Sequence, residues 1–367
     1  MLERLIAHRR ALHRIPELDD QLPETQQYLL SQLQPLGCRI FLPGHCAVAA
    51  YFDAGKPDTV AFRSDMDALP ITENTGLAFA SAHPGKMHAC GHDGHMAMLL
   101  CLAEWVSARR QTLPHNVLLV FQPSEETTGG AQRLCRSGIF SQLQVRHIFG
   151  IHLWPDLPAG TIATCKGPMM ARSSEATVEI WGKAAHIAKW QEGKDALAAG
   201  AAFLQQAYHM AKTELPAAGP RVLQFGRMQS GTVRNAVSDY TRLEGSLRTF
   251  QDEAFSHITR RCAEIGESLQ EQTGCRFSVQ FSEGYPPVVN DPGLYGRAAR
   301  LLGKDGFVPL EQPALIAEDF SFYQQQMPGL FFFLGIGSDQ PLHSDRLSFD
   351  ESVLQRGVAL YQSLLQL

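Results

Sequence analysis

The segment MHACGHDGHMAMLL gathers His88, Cys90, His92, Asp93 and His95 around two glycines, just ahead of a helical pattern. Thiolate and imidazole together suit a borderline-soft divalent ion such as zinc, and the glycines let the backbone close around it. The plain alternative is a helix-capping turn with buried histidines. A second element, FQPSEETTGGA, leads from an apolar stretch through Pro123 into the adjacent carboxylates Glu125 and Glu126. Such neighbours can divide labour. With Glu126 ionised on a metal, Glu125 is free to take a proton from an attacking water and deliver it to a leaving nitrogen. The pair could also open a solvated helix, since Glu favours the first turn. Two further imidazoles, His152 after HIFGI and His343 in QPLHSDRLSFDE, complete a candidate ligand set of Cys90, His92, Glu126, His152 and His343. Five ligands suit two divalent ions sharing Cys90 or a water; manganese or zinc is expected, with cobalt or nickel as substitutes. In RSDMDALPI, Asp65 and Asp67 fall on one side of a strand end, where Asp67 could orient a ligand histidine or cap a turn.

These residues must be positioned by secondary structure. Four short apolar runs, Thr59–Arg63, Val117–Phe121, His147–Ile151 and Leu330–Gly335, lack polar alternation and are expected as central strands buried on both faces. Each is closely followed by ionisable residues: Asp65 and Asp67, Glu125 and Glu126, His152, and His343. Ligand sites in open α/β sheets form at strand carboxyl ends, so the placement argues for one shared site. A helical repeat over Met96–Arg109 makes this part an α/β layered domain. Between about 173 and 283 the pattern changes. Strands are expected at Ala176–Trp181, Arg221–Met228, Tyr240–Phe250 and Arg276–Ser282, with helices at Asp195–Leu215 and Asp252–Gln272. The order βαββαβ is that of a ferredoxin-like α+β sandwich. Because buried runs of the first type resume after it, residues 173–283 are expected as an inserted domain, and residues 1–172 and 284–367 as the two pieces of the other.

Composition narrows the function classes. A chain of 367 residues is long enough for two cores, and 44% hydrophobic with 19% charged residues is that of a water-soluble protein. No stretch approaches the ~20 apolar residues of a membrane span. The charged amphipathic start, with Leu2, Leu5, Ile6, Arg9 and Leu12 at helical spacing, lacks the apolar core of a secretion signal, so a cytoplasmic location is expected. Eight scattered cysteines without a CxxC pair agree with a reducing compartment. A net charge of −5 with dispersed Arg and Lys speaks against a nucleic-acid partner.

The motifs DMDALPI, HACGHDGH, QPSEETTGGA, GIHLWPDLPAGTI, AEDFSFY and LHSDRLSFDE, in this order along almost the whole chain, resemble metal-dependent amidohydrolases of the metallopeptidase type. Hippurate hydrolases, aminoacylases and auxin-conjugate hydrolases belong to that group. The resemblance implies a catalytic domain with a zinc-peptidase-like sheet, interrupted by a ferredoxin-like lid that often dimerises. It places Cys90, His92, Glu126, His152 and His343 at metal positions and Glu125 at the catalytic base. In KAAHIAKWQEGKDAL, His186 takes the place of a histidine that binds the scissile carbonyl, and in SGTVRNAVSDY Asn235 matches a substrate-binding asparagine. The implied reaction is hydrolysis of N-acyl-L-amino acids to a carboxylic acid and a free amino acid. A dipeptidase or carboxypeptidase, or an N-acetyldiaminopimelate deacetylase, would use the same site. The chain departs from the pattern at Trp190 and Ser238, where prolines are usual, and at Asp19-Asp20, which replace a Gly-aromatic pair. No departure falls on a ligand or the base.

Overall fold

All four apolar runs are strands, each reaching beyond the run: Thr59–Asp65, Asn116–Gln122, Val145–Trp154 and Gly329–Gly335. Every residue of the first, second and fourth is buried, which explains why no polar residue alternates along them. The computed structural model describes residues 1–214, 221–303 and 306–367. In it the four strands are adjacent and mutually parallel at the centre of an eight-stranded mixed sheet, so their carboxyl ends share one rim. His152 lies within its strand rather than just beyond it.

The chain divides into two units. The first comprises Met1–Met169, Val289–Gln312 and Asp319–Leu367, and the second Met170–Val288 with Pro313–Glu318. In the first, the helix His92–Arg109 starts four residues ahead of the expected Met96, because its first turn is polar yet wholly buried and shows no amphipathic period. Gly91 precedes it at φ 85°, and a side chain there would meet Leu153 Cδ1 at 2.8 Å. Only glycine combines that left-handed backbone with so close an approach to the strand. The N-terminal helix Leu2–His13 buries Leu5, Arg9, Leu12 and His13.

The second unit has the βαββαβ order. Its antiparallel sheet runs Arg276–Phe281, Arg172–Trp181, Tyr240–Thr249, Val222–Ser230. The helices Ala196–Thr213 and Asp252–Thr273 pack on it through Phe203, Ala207, Ile258 and Cys262. Asp195, expected inside the first helix, caps it instead, accepting the Ala198 N–H at 3.0 Å. The expected last residue of that helix, Leu215, lies outside the described residues. No helix of the described residues is long and apolar enough to cross a membrane.

A buried ion cluster joins the N-terminal helix to the rest of the first unit: His13 meets Asp93 at 2.8 Å and Glu73 at 3.2 Å. Burial alone would depress the imidazole, but Asp93 and then Glu73 hold its pKa up at about 9. Since the folded value exceeds the ordinary 6.5, the imidazolium stabilises fully below pH 6.5 and its contribution fades as pH rises through about 9. The melting temperature of His13→Gln should therefore fall furthest below wild type near pH 6 and approach it near pH 9.5 in calorimetry. A pH-independent gap would show that His13 is folded in neutral form.

Candidate active site

At the shared rim the first unit brings together all five expected ligands. Cys90, His92 and His152 form one group and Cys90, Glu126 and His343 a second, with one donor atom per residue lying within 4.8 Å of the others in each. Cys90 Sγ lies 3.3 Å from His152 Nε2, and Glu126 Oε1 lies 3.3 Å from His343 Nε2 and 3.7 Å from His92 Nε2. Cys90 is common to both groups, as two ions sharing it would require.

Hydrogen bonds separate the histidines that can ligate from those that cannot. His92 donates from Nδ1 to the Asp67 carbonyl at 2.8 Å, and His152 from Nδ1 to the Leu153 carbonyl at 2.7 Å. A carbonyl only accepts, so each ring holds its proton on Nδ1 and turns the Nε2 lone pair into the cluster. Burial pushes His152 down to about 3 and lowers His92 as well, which keeps both neutral and fit to bind a cation. His95 is spent: its Nδ1 donates to Asp65 at 2.6 Å and its Nε2 accepts the Leu153 N–H at 2.9 Å. Asp93 turns away from the cluster towards Arg9 and His13. His88 is buried with neither ring nitrogen bonded.

The donor set fits divalent cations. His92 Nε2 and Glu126 Oε1 are buried without a hydrogen-bond partner, a condition that stable interiors avoid unless an ion or water completes them. Burial, then the carboxylates of Glu126, Glu125 and Asp65, push the Cys90 thiol well up. A cation among these groups would reverse that and favour the thiolate. Glu126 is held at about 2 against its burial, chiefly by the hydrogen bond from His343, and so is ionised for binding.

Glu125 is 8% exposed, beside Glu126, and its backbone is tightly specified. The Asp67 carboxylate accepts the Glu125 and Glu126 N–H groups, each at 3.0 Å, while the Asp67 carbonyl orients His92. Asp67 thus both caps the turn and orients a ligand, through different atoms. Ser124, just before the pair, and His343 are non-glycine residues in left-handed backbone, at φ 61° and 65°. Strain of this kind persists where surrounding contacts over-determine it. The Ser124 N–H donates to the Asp19 carbonyl at 3.1 Å, with Asp19 itself at φ 56°. The Asp19 backbone therefore supports the turn that carries Glu125, and Asp tolerates a backbone otherwise suited to glycine. Asp67→Ala should strand the buried Glu125 amide at about 1–3 kcal/mol and, by loosening the turn that carries Glu126, weaken metal binding about 10–100-fold. Denaturant unfolding and metal titration would check both; unchanged unfolding would mean that water replaces the carboxylate.

His186 and Asn235 lie in the second unit, which brings them to each other: the Ile187 N–H donates to the Asn235 carbonyl at 2.9 Å. The His186 ring is exposed, with Nδ1 accepting the Ala188 N–H at 3.2 Å. Sequence reasoning missed Arg9 and His13 as parts of the site's surroundings. Their signal was a pair of polar residues on the inward face of an otherwise apolar stripe.

A sequence model described as peptidase family M20/M25/M40 matches residues 61–367. The chain belongs to this family. As an M20-type protein it is a hydrolase acting on amide bonds. It is 34% identical to an N-acetyldiaminopimelate deacetylase of Streptococcus uberis, over 99% of this chain and 98% of the relative. The same identity and coverage hold for an N-acetyldiaminopimelate deacetylase of Limosilactobacillus reuteri. Among solved M20 structures, the YxeP protein of Bacillus subtilis, described as a dinuclear metal binding peptidase, is 31% identical. It superposes with a TM-score of 0.86, covering 99% of this chain and 97% of that one.

Proposed function

We propose that this M20 chain is a two-metal deacylase of N-acylated amino acids, with N-acetyldiaminopimelate as the first substrate to test. The observation that carries the reading is a buried carboxylate, Glu125, fixed beside Glu126 and two neutral imidazoles, His92 and His152, whose lone pairs converge. Bound divalent ions, held by Cys90, His92, Glu126, His152 and His343, would supply Lewis-acid activation of water and of the acyl carbonyl. The chain's own part is proton transfer. Glu125 accepts a proton from the attacking water as its oxygen bonds to the acyl carbon. It returns that proton to the nitrogen as the C–N bond breaks, so one base serves both steps. His186 and Asn235 are assigned to the acyl oxygen and to other polar atoms of the substrate, on the resemblance of their motifs. Homodimerisation through residues 173–283 and a cytoplasmic location go with the same reading.

The names of the S. uberis and L. reuteri relatives favour the acetyldiaminopimelate alternative over a general N-acyl-L-amino acid hydrolase. The dinuclear description of the B. subtilis protein supports two ions. After chelation and re-addition of manganese, zinc, cobalt or nickel, release of free amine should be compared for three substrate groups. These are N-acetyldiaminopimelate, other N-acetyl, N-benzoyl and indoleacetyl amino acids, and dipeptides. Metal-dependent release, greatest for acetyldiaminopimelate, is expected. Preference for dipeptides would replace the deacylase reading with a peptidase one.

A further inference from the structure

Resting on the metal-dependent reading above, we infer that Arg9 of the N-terminal helix is a positioning residue for the metal centre, joining the segment that carries Cys90 and His92 to the one that carries His343. The helix Leu2–His13 precedes the family-matched span, so nothing in that match assigns it a role. Arg9 is 2% exposed. Its Nε donates to Asp93 Oδ2 at 3.1 Å, and its Nη1 lies 3.2 Å from Glu351 Oε1. The guanidinium also sits 4.0 Å from the centre of the Phe349 ring. Asp93 is the residue after His92 in the first turn of its helix, and Phe349 and Glu351 close the segment that begins at His343. One planar cation thus holds both ligand-bearing segments. His13 strengthens the first grip by binding the same Asp93 oxygen at 2.8 Å, and Arg10 strengthens the second, 2.6 Å from Glu351 Oε2.

The His343 side needs such an anchor. Its side chain is 51% exposed, its backbone is left-handed, and its amide reaches back to the Ala89 carbonyl at 2.8 Å. An exposed ligand on strained backbone has no packed wall to set its direction, so its direction must come from the attachment of the loop. A buried arginine is also a poor choice for stability alone, since an apolar side chain of similar volume avoids desolvating a charge. The bidirectional fork of a guanidinium suits the joining of two carboxylates.

The test uses the full chain and cobalt(II) as the probe. Metal-free wild type, Arg9→Lys, Arg9→Met and Glu351→Gln would be titrated with cobalt while the thiolate charge-transfer and d–d absorption bands are followed. Thermal melting of each metal-free protein would be measured in parallel. Glu351→Gln leaves the Arg9–Asp93 pair intact, so it decides the matter even if Arg9→Met fails to fold. The expected result is that Glu351→Gln melts close to wild type, yet binds one of two cobalt ions about 10–100-fold more weakly with shifted d–d bands. Arg9→Lys should fall between wild type and Glu351→Gln. Folded Glu351→Gln with wild-type affinity and spectrum would overturn the inference alone. Wild type that binds no cobalt would overturn the metal-dependent reading and this inference with it.

Discussion

Glu125→Gln is expected to lower turnover of the proposed N-acyl amino acid substrate by about 10²–10⁴-fold while metal content stays at the wild-type level. The substitution keeps the shape of the side chain and leaves the Glu125 N–H on Asp67, so the turn that carries Glu126 has no reason to move. What disappears is a basic oxygen on a largely buried side chain. The measurement needs both readouts. Glu125 also forms a donor group with His92 and Glu126, so loss of activity together with loss of metal would make it a ligand instead. Near-normal turnover at full occupancy would place the base elsewhere.

The candidate site residues were legible because their types are chemically costly where they stand. Four uninterrupted apolar runs implied strands buried on both faces, and ionisable residues at their ends implied a common rim. What stayed hidden depended on partners distant in sequence. His95 looks like a ligand in HACGHDGH until the Leu153 N–H, 58 residues away, is seen to occupy its second nitrogen. Arg9 reads as an interruption of an amphipathic stripe until Asp93, 84 residues on, supplies its counter-charge. The start of the helix at His92 was missed because its polar first turn is buried on every side and carries no period. Asp67 could be narrowed to orienting a histidine or capping a turn, but only coordinates show that its carbonyl does one and its carboxylate the other.

His152→Ala is expected to remove a metal ion as well as activity, in contrast to Glu125→Gln. His152 is buried, is neutral because burial holds it at about 3, and presents Nε2 to Cys90 through the proton it gives to the Leu153 carbonyl. Removing it takes a donor from the group Cys90, His92 and His152. The loss of affinity should exceed the about 10–100-fold typical of partners that only orient a ligand. Stability supplies an independent readout. An ion present at 100 times its dissociation constant adds about 2.7 kcal/mol to the folded state. Wild type should gain that increment when metal is restored after chelation, and His152→Ala only a fraction of it. His95→Ala separates ligation from packing. With both ring nitrogens committed to Asp65 and Leu153, its loss should destabilise the metal-free protein while leaving the metal-linked increment largely in place. If instead His95→Ala abolished the increment and His152→Ala kept it, the assignment of ligand and support between these two neighbouring rings would have to be exchanged.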